Sequence, residues 1–383
     1  MKKHSLMAIA AIATMAMVSC NGKQKATETL IAGLSPEKFA AEVDGKPTAL
    51  YSVKSSSGME VAITNYGGRI VALQVPDRKG EMCDVVLGFD SIQAYLPENN
   101  QTDFGASIGR YANRIDHGRI VIDGDSIQLP VNNFGHTLHG GPTGWQYKVY
   151  DAVQPNDSTL VLSIDSPDGD NGFPGNVKAT VTYTALPGNK LDIAYSATTD
   201  KATVINMTNH SYFNLSGDPM KPITDHTLYV YASNFTPVDS TYMTTGEILP
   251  VEGTPMDFTV PRTVGEQIDN FEFVQLKNGN GYDHNWVLDS KGDMDKIAAT
   301  LYSPESGIGL SVYTDEPGIQ VYSGNFLDGT VTGKGGKVYN QRTGIALETQ
   351  HYPDSPNKPE WPSVLLRPGD TYKSHTMLSF FAL

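Results

Sequence analysis

Cysteine is almost missing: 383 residues contain two, Cys20 and Cys83. That excludes a disulfide framework and a cysteine-built zinc site, and Cys83 is expected to be a small buried hydrophobe. Basic residues are also scarce, 28 Lys and Arg against 42 Asp and Glu, for a net charge of −14. A nucleic-acid backbone is therefore a poor partner, because phosphate contacts need Lys and Arg. Helical periodicity is weak, and its best short case is Ser91–Tyr95. No Gly-x-Ser-x-Gly stretch is present for a serine hydrolase, and no glycine loop for phosphate. The one sustained apolar run, from Leu6 to Val18, is shorter than the roughly 20 residues a membrane span requires.

That run has a positive start, Lys2-Lys3, and ends Met17-Val18-Ser19-Cys20. A small residue directly before Cys resembles a bacterial lipoprotein signal. The resemblance implies removal of residues 1–19 and lipidation of Cys20, with membrane contact through the lipid alone. Asn21, Gly22 and Lys23 follow without an acid, so a cell-envelope, periplasm-facing anchor is expected. Residues 20–45 show little apolar period and read as a tether, with a short helix after Ser35-Pro36.

From there on the pattern is that of strands. Hydrophobic content of 39 % and charged content of 18 % suit a packed core. Gly (37) and Pro (23) are plentiful, as many short strands joined by turns would require. Alternating or apolar stretches occur at Met59–Tyr66, Ile70–Val75, Asp84–Phe89, Leu160–Ile164, Ala179–Thr184, Leu191–Ala197, Leu228–Tyr231, Leu310–Tyr313, Ile319–Tyr322 and Leu365–Leu366. Arg119–Leu129 reads as a hairpin around Asp123-Gly124. No repeat or composition shift divides residues 46–383, so one all-β domain, sandwich or barrel, is expected.

The chemistry-bearing residues sit in five stretches. Gly344-Ile-Ala-Leu-Glu-Thr-Gln-His-Tyr-Pro-Asp354 begins as a strand with Ile345, Leu347 and Thr349 on one face and Ala346, Glu348 and Gln350 on the other. A carboxylate on a covered face is costly unless paired, and partial compensation raises its pKa toward that of a usable base. Facing solvent, Glu348 would be an ordinary strand-end residue. The others are Gly109-Arg-Tyr-Ala-Asn-Arg-Ile115, Phe134-Gly-His-Thr-Leu-His-Gly-Gly141, Thr208-Asn-His-Ser-Tyr-Phe-Asn-Leu215 and Gly281-Tyr-Asp-His-Asn-Trp286. Each has a plain structural alternative: a loop histidine, turn chemistry, or a solvated arginine pair. His136 and His139 lack the companions of a zinc site. Asp168-Gly-Asp-Asn-Gly172 opens like a calcium loop, but Ala179 stands where the closing Glu belongs. A polar turn fits it better, with a structural Ca2+ as the lesser alternative.

Taken in order, these motifs resemble the aldose 1-epimerases, the mutarotases of galactose and glucose. To them are added Gln320 followed by Tyr-Ser-Gly-Asn-Phe-Leu-Asp-Gly329, and the match runs from about Tyr51 to Leu383. The Asn-rich piece Pro97–Gln101 and the amino-terminal signal depart from it. The resemblance implies a large single-domain antiparallel β-sandwich, a free aldose as the small-molecule partner and no required cofactor or metal; a monomer is the expectation, though no residue pattern marks the oligomeric state. It makes Glu348 the general base and His210 the general acid. His139 would hold the ring-oxygen side of the sugar, Arg114 with Asn113 would bind hydroxyls, Asp283 would take a hydroxyl pair, and Gln320 and Tyr212 would line the pocket. Glu348 is expected ionised and His210 protonated. Trp286, Tyr212 and Phe213 offer apolar faces to the ring. The competing readings are a lipid-anchored sugar-binding protein without turnover, an epimerase of hexose 6-phosphates, and a polysaccharide-cleaving enzyme. Binding alone would not need an acid/base pair. Arg110 and Arg114 are the one close basic pair available for a phosphate.

Overall fold

The computed structural model describes residues 30–100 and 102–383. Strand alternation decides its architecture. Along Val177–Leu186 every second residue is buried, with Val177, Ala179, Val181, Tyr183 and Ala185 pointing inward. Lys190–Thr199 pairs with it antiparallel over its whole length and buries Leu191, Ile193, Tyr195 and Ala197. They lie within a nine-stranded sheet ordered Asp151–Asn156, Thr159–Ser166, Val177–Leu186, Lys190–Thr199, Tyr372–Ala382, Ile308–Thr314, Ala299–Tyr302, Thr227–Val230 and Arg262–Thr263.

Two smaller antiparallel sheets form the opposing layer. One has six strands, ordered Tyr212–Phe213, Ile345–Gln350, Gly318–Tyr322, Asp283–Val287, Asn234–Thr236 and Leu249–Pro250. The other has four: Leu50–Lys54, Glu60–Thr64, Arg69–Pro76 and Met82–Asp84. One buried cluster joins all three sheets, including Ile63 and Leu73, Val181 and Ile193, Ile319 and Leu347. Contacts such as Phe213 against Phe380, ring centroids 6.5 Å apart, hold the layers together. Full burial of a side chain such as Leu347 contributes about 1.5–3 kcal/mol. The expected β-sandwich is what forms.

Ile345 and Leu347 face this core, so alternation turns Ala346, Glu348 and Gln350 to the opposite face. Glu348 lies opposite Gln320, and Gln320 opposite Asn285. Tyr322 lies opposite both Ala346 and Asp283. This second face of the six-stranded sheet is also buried, yet largely polar, because loops close over it.

Some expectations shift. Residues 30–45 are folded rather than a tether. Phe39 is fully buried, Ala41–Val43 pairs with Lys46–Thr48, and the Thr48 hydroxyl donates to the Phe39 carbonyl. The short helix after Ser35 is a 3-10 turn, Pro36–Phe39, and Ser91–Tyr95 reduces to the 3-10 turn Gln93–Tyr95. Asp84–Phe89 is cut short at Asp84, whose carboxylate accepts from the Leu73 and Val86 amides. Cys83 is half-buried against the core. The α-helix Val274–Gly279 had no periodic signal in the sequence. The hairpin around Gly124 is present, Arg119–Ile122 with Asp125–Gln128. The signal, Cys20 and the rest of residues 1–29 lie outside the described residues.

Candidate active site

Glu348 is 2 % exposed, with one carboxylate oxygen 3.4 Å from His210 Nε2 and the other without a hydrogen-bond partner among the described residues. His210 ends the short strand Thr208–His210, which pairs with Ala106–Ile108. Its ring stacks on Tyr212 at 5.0 Å, and its Nδ1 is buried with no hydrogen-bond partner among the described residues. Both groups thus face one another with bonding capacity left over, a costly state for buried polar atoms unless a ligand supplies partners.

His139 meets His210 edge to face, ring centroids 5.2 Å apart. A reciprocal pair of bonds holds it. The Asn113 amide donates to His139 Nδ1 at 3.1 Å, and the His139 amide donates to the Asn113 carbonyl at 3.0 Å. Both residues take left-handed backbone angles, φ 62° for Asn113 and 49° for His139, an arrangement found preferentially at functional sites. Because Nδ1 accepts, the neutral ring carries its proton on Nε2 and acts as a donor. Asn113 therefore sets the tautomer of His139, besides lining the cavity.

Across Glu348 the Gln320 amide donates to Asp283 at 2.7 Å. Gln320 orients Asp283 and does not itself line the cavity. Arg114 is 7 % exposed, donates to Asn133 at 2.9 Å, and lies 5.2 Å from the Tyr242 ring centre. The cavity between these groups measures about 420 Å³ and is bounded by Glu348, His210, His139, Arg114, Asn113, Asp283 and Tyr212. Asp103, Asn133, Phe134, Leu138, Tyr322 and Phe326 complete its wall. A volume of this size suits a small polar ligand.

Burial pushes the Glu348 carboxyl well above its ordinary range; the negative Asp283 and Asp103 add to this, and Arg114 opposes it. Burial likewise lowers His210 to about 4, with the Arg69 cation pulling the same way against a backbone hydrogen bond. The rise at Glu348 is the one expected from its covered face, but the expected ionised Glu348 and protonated His210 are not the favoured resting forms. Burial favours neutral Glu348 and neutral His210. In this setting an ionised Glu348 would be a stronger base, and a protonated His210 a stronger acid, than in water. Burial also drives His139 well below its usual value, helped by His210 and Arg114, so that it stays a neutral donor.

Ligand atoms of His139, His210 and Glu348 lie within 4.8 Å of one another, a spacing open to a metal ion. The donor set does not fit one well, because His139 Nε2 holds the proton. Asp116, His117 and His136 form a second such group. There the His117 amide donates to His136 Nδ1, and His136 Nε2 meets the Thr241 hydroxyl.

The sequence model of the family described as aldose 1-epimerase matches residues 49–379. Galactose mutarotase of Rattus norvegicus is 43 % identical over 325 residues, covering 85 % of this chain and 92 % of its own length. Aldose 1-epimerase of Escherichia coli is 38 % identical over 351 residues, 90 % and 99 % of the two chains. This chain belongs to the aldose 1-epimerase family. Among solved structures, an aldose epimerase homologue from C. elegans superimposes with a TM-score of 0.81 at 32 % identity, covering 88 % of this chain and 99 % of that one. A galactose 1-epimerase from Lactobacillus acidophilus gives 0.78 at 27 % identity, with 89 % and 97 % covered.

Within this aldose 1-epimerase the motifs divide. Trp286 and Phe213 belong to the core between the sheets, so only Tyr212 of the three expected aromatic faces reaches the cavity. Arg110 is buried elsewhere, donating to Ser166 and the Pro174 carbonyl, and forms no phosphate site with Arg114. Asp168 and Asp170 accept from the Gly175 amide and the Ser166 hydroxyl, the bonding of a polar turn. Sequence reasoning missed Asp103, Phe134, Tyr322 and Phe326. Tyr322 was signalled, since it stands two residues from Gln320 and shares its face.

Proposed function

We infer that this chain is a mutarotase that interconverts the α and β anomers of a free hexose such as galactose or glucose. The observation that carries this reading is the buried His210–Glu348 pair at one cavity, each member with an unpartnered atom. Ionised Glu348 removes the proton of the C1 hydroxyl while protonated His210 delivers one to the ring oxygen, and the C1–O5 bond breaks. The C1–C2 bond rotates, O5 attacks the other face of C1, and both protons return. His139 donates from Nε2 on the ring-oxygen side, and Arg114 and Asp283 orient the hydroxyls through charge-assisted bonds. A binding protein without turnover would not need two buried titratable groups left unsatisfied. Polarimetry of fresh α-D-galactose and α-D-glucose with the purified mature chain tests the reading, and an unchanged rate of rotation would refute it.

The reaction as written needs no cofactor, metal or structural calcium, and exhaustive chelation should leave the rate intact. Loss of more than half the activity, restored by one metal, would overturn this. The mature protein begins at lipidated Cys20 and faces the periplasm from the cell envelope. The support is the Lys2-Lys3 start, the short apolar run and Ser19-Cys20. Mass spectrometry of the native amino terminus checks it, an unmodified terminus at another residue being the contrary result.

A further inference from the structure

Asp103 is a carboxylate in the cavity wall for which the acid/base reaction has no use. Its Oδ1 is buried and has no hydrogen-bond partner among the described residues. Its backbone, in contrast, is fixed on both sides. The guanidinium of fully buried Arg69 donates to the Thr102 carbonyl at 3.1 Å, the Phe104 carbonyl at 3.0 Å and the Gln146 carbonyl at 2.9 Å. The Asp103 carbonyl itself accepts from the Ala106 amide. A carboxylate held this firmly beside a ligand cavity, and short of a donor, is preorganised for one.

The sheet order says which donor. Ala106 pairs with His210, and the Gly105 amide donates to the His210 carbonyl at 2.9 Å, so Asp103 belongs to the His210 side of Glu348. Gln320 and Asp283 lie on the two strands beyond Glu348, on the other side. In a pyranose the ring oxygen is flanked by C1 and C5. With the C1 hydroxyl on Glu348 and the ring oxygen on His210, C2 and C3 run toward Gln320 and Asp283. The exocyclic carbon on C5 runs the opposite way.

We propose that Asp103 accepts the C6 hydroxyl of the sugar and selects hexoses over pentoses and 6-deoxyhexoses. The inference rests on the mutarotase reading. Burial raises Asp103 to about 6, so at neutral pH it is an ionised acceptor.

Two readouts separate this inference from that reading. The first is kcat/KM for mutarotation of D-galactose, 6-deoxy-D-galactose and L-arabinose. The second is equilibrium binding of 1,5-anhydro-D-galactitol and its 6-deoxy analogue, which cannot mutarotate. A hydroxyl bonded to a charged group should give the wild type about a ten- to hundred-fold preference for the C6 hydroxyl in both. Asp103→Ala should bring that ratio to within about threefold of one, and isosteric Asp103→Asn, should Asp103→Ala not fold, to an intermediate value. A variant that weakens all sugars equally overturns the assignment, as does a loss that follows the C2 or C4 hydroxyl. A wild type that shows the C6 preference in binding yet gives no mutarotation overturns the function and leaves Asp103 standing.

Discussion

Two histidine–glutamate pairs stand near the same end of the strand Ile345–Gln350, Glu348 within it and His351 just past it, and they have opposite fates. His351 meets Glu316 at 2.6 Å, while the Tyr372 hydroxyl donates to the other Glu316 oxygen at 3.3 Å. The Glu316 amide bonds Thr314, and the His351 amide bonds Asn206. Both Glu316 oxygens are thus partnered within the cluster, and neither Glu316 nor His351 lines the cavity. His210 and Glu348 are further apart, at 3.4 Å, and each keeps an unpartnered atom beside a cavity. The residue types are the same and both carboxylates are 2 % exposed. Among the described residues, the second pair alone keeps buried atoms without partners beside a cavity, and that incompleteness, not residue type, separates the two.

Removing the incomplete pair should have the largest effect. Glu348→Gln and His210→Asn should each lower kcat by ~10²–10⁴-fold with little change in KM. The thermal midpoint should stay level or rise, because a buried unpaired group is removed. The double variant should be far better than the product of the two losses, since proton delivery is useless without proton removal. If Glu348→Gln retains more than about a tenth of wild-type kcat, Glu348 is not the base.

Asp283→Asn should come next, raising KM and lowering kcat together by about tenfold each, because a hydroxyl clamp acts in ground and transition states alike. A pure kcat effect would move Asp283 into the proton-transfer machinery.

Within the saturated pair, Glu316→Gln should cost about 1–3 kcal/mol of stability, read from denaturant melts, for the loss of charged hydrogen bonds. Its kcat/KM should stay within about threefold of wild type, since Glu316 touches no part of the cavity. A large kinetic loss without a stability loss would dissolve the contrast between the two pairs.

The pH profile sharpens the contrast. The reactive form needs Glu348 ionised and His210 protonated, but burial raises the first group and lowers the second to about 4. Between these values the pair holds a single proton, mostly on Glu348, and the reactive tautomer is a constant minor fraction. Below about 4 His210 takes a second proton while Glu348 is still protonated, and the rate falls. Above the raised Glu348 value the shared proton is lost, and the rate falls again. The acid limb of kcat/KM therefore belongs to His210 and the basic limb to Glu348, the reverse of the assignment that ordinary side-chain values suggest. An acid limb that survives in His210→Asn would contradict this.

Much of this was readable before folding. The period-2 pattern placed Glu348 on the face opposite Ile345 and Leu347. Of the residues marked in the polar motifs, Glu348, His210, His139, Arg114, Asn113, Asp283 and Tyr212 meet at one cavity, while Gln320 stands behind Asp283. The longest strand, Tyr372–Ala382, escaped notice because two of its inward residues are Ser374 and Thr376, which weaken the apolar alternation. Asp103 escaped because an isolated aspartate in a loop has no signature. Its importance comes from Arg69, 34 positions away in sequence, clamping the carbonyls on either side of it.

Sequence by itself determined the class of fold, the strand face that carries Glu348 and the motifs that enclose the chemistry, because alternation and side-chain type are local properties. Only the tertiary structure decided which of two similar histidine–glutamate pairs is left open, which aromatic rings reach the cavity, and how far Glu348 and His210 are perturbed by burial. Those outcomes depend on burial and on partners supplied by distant strands, such as Tyr372 for Glu316 and Asp283 for Glu348. Desolvation and hydrogen-bond completion are properties of the assembled surroundings, and no single stretch of chain carries them.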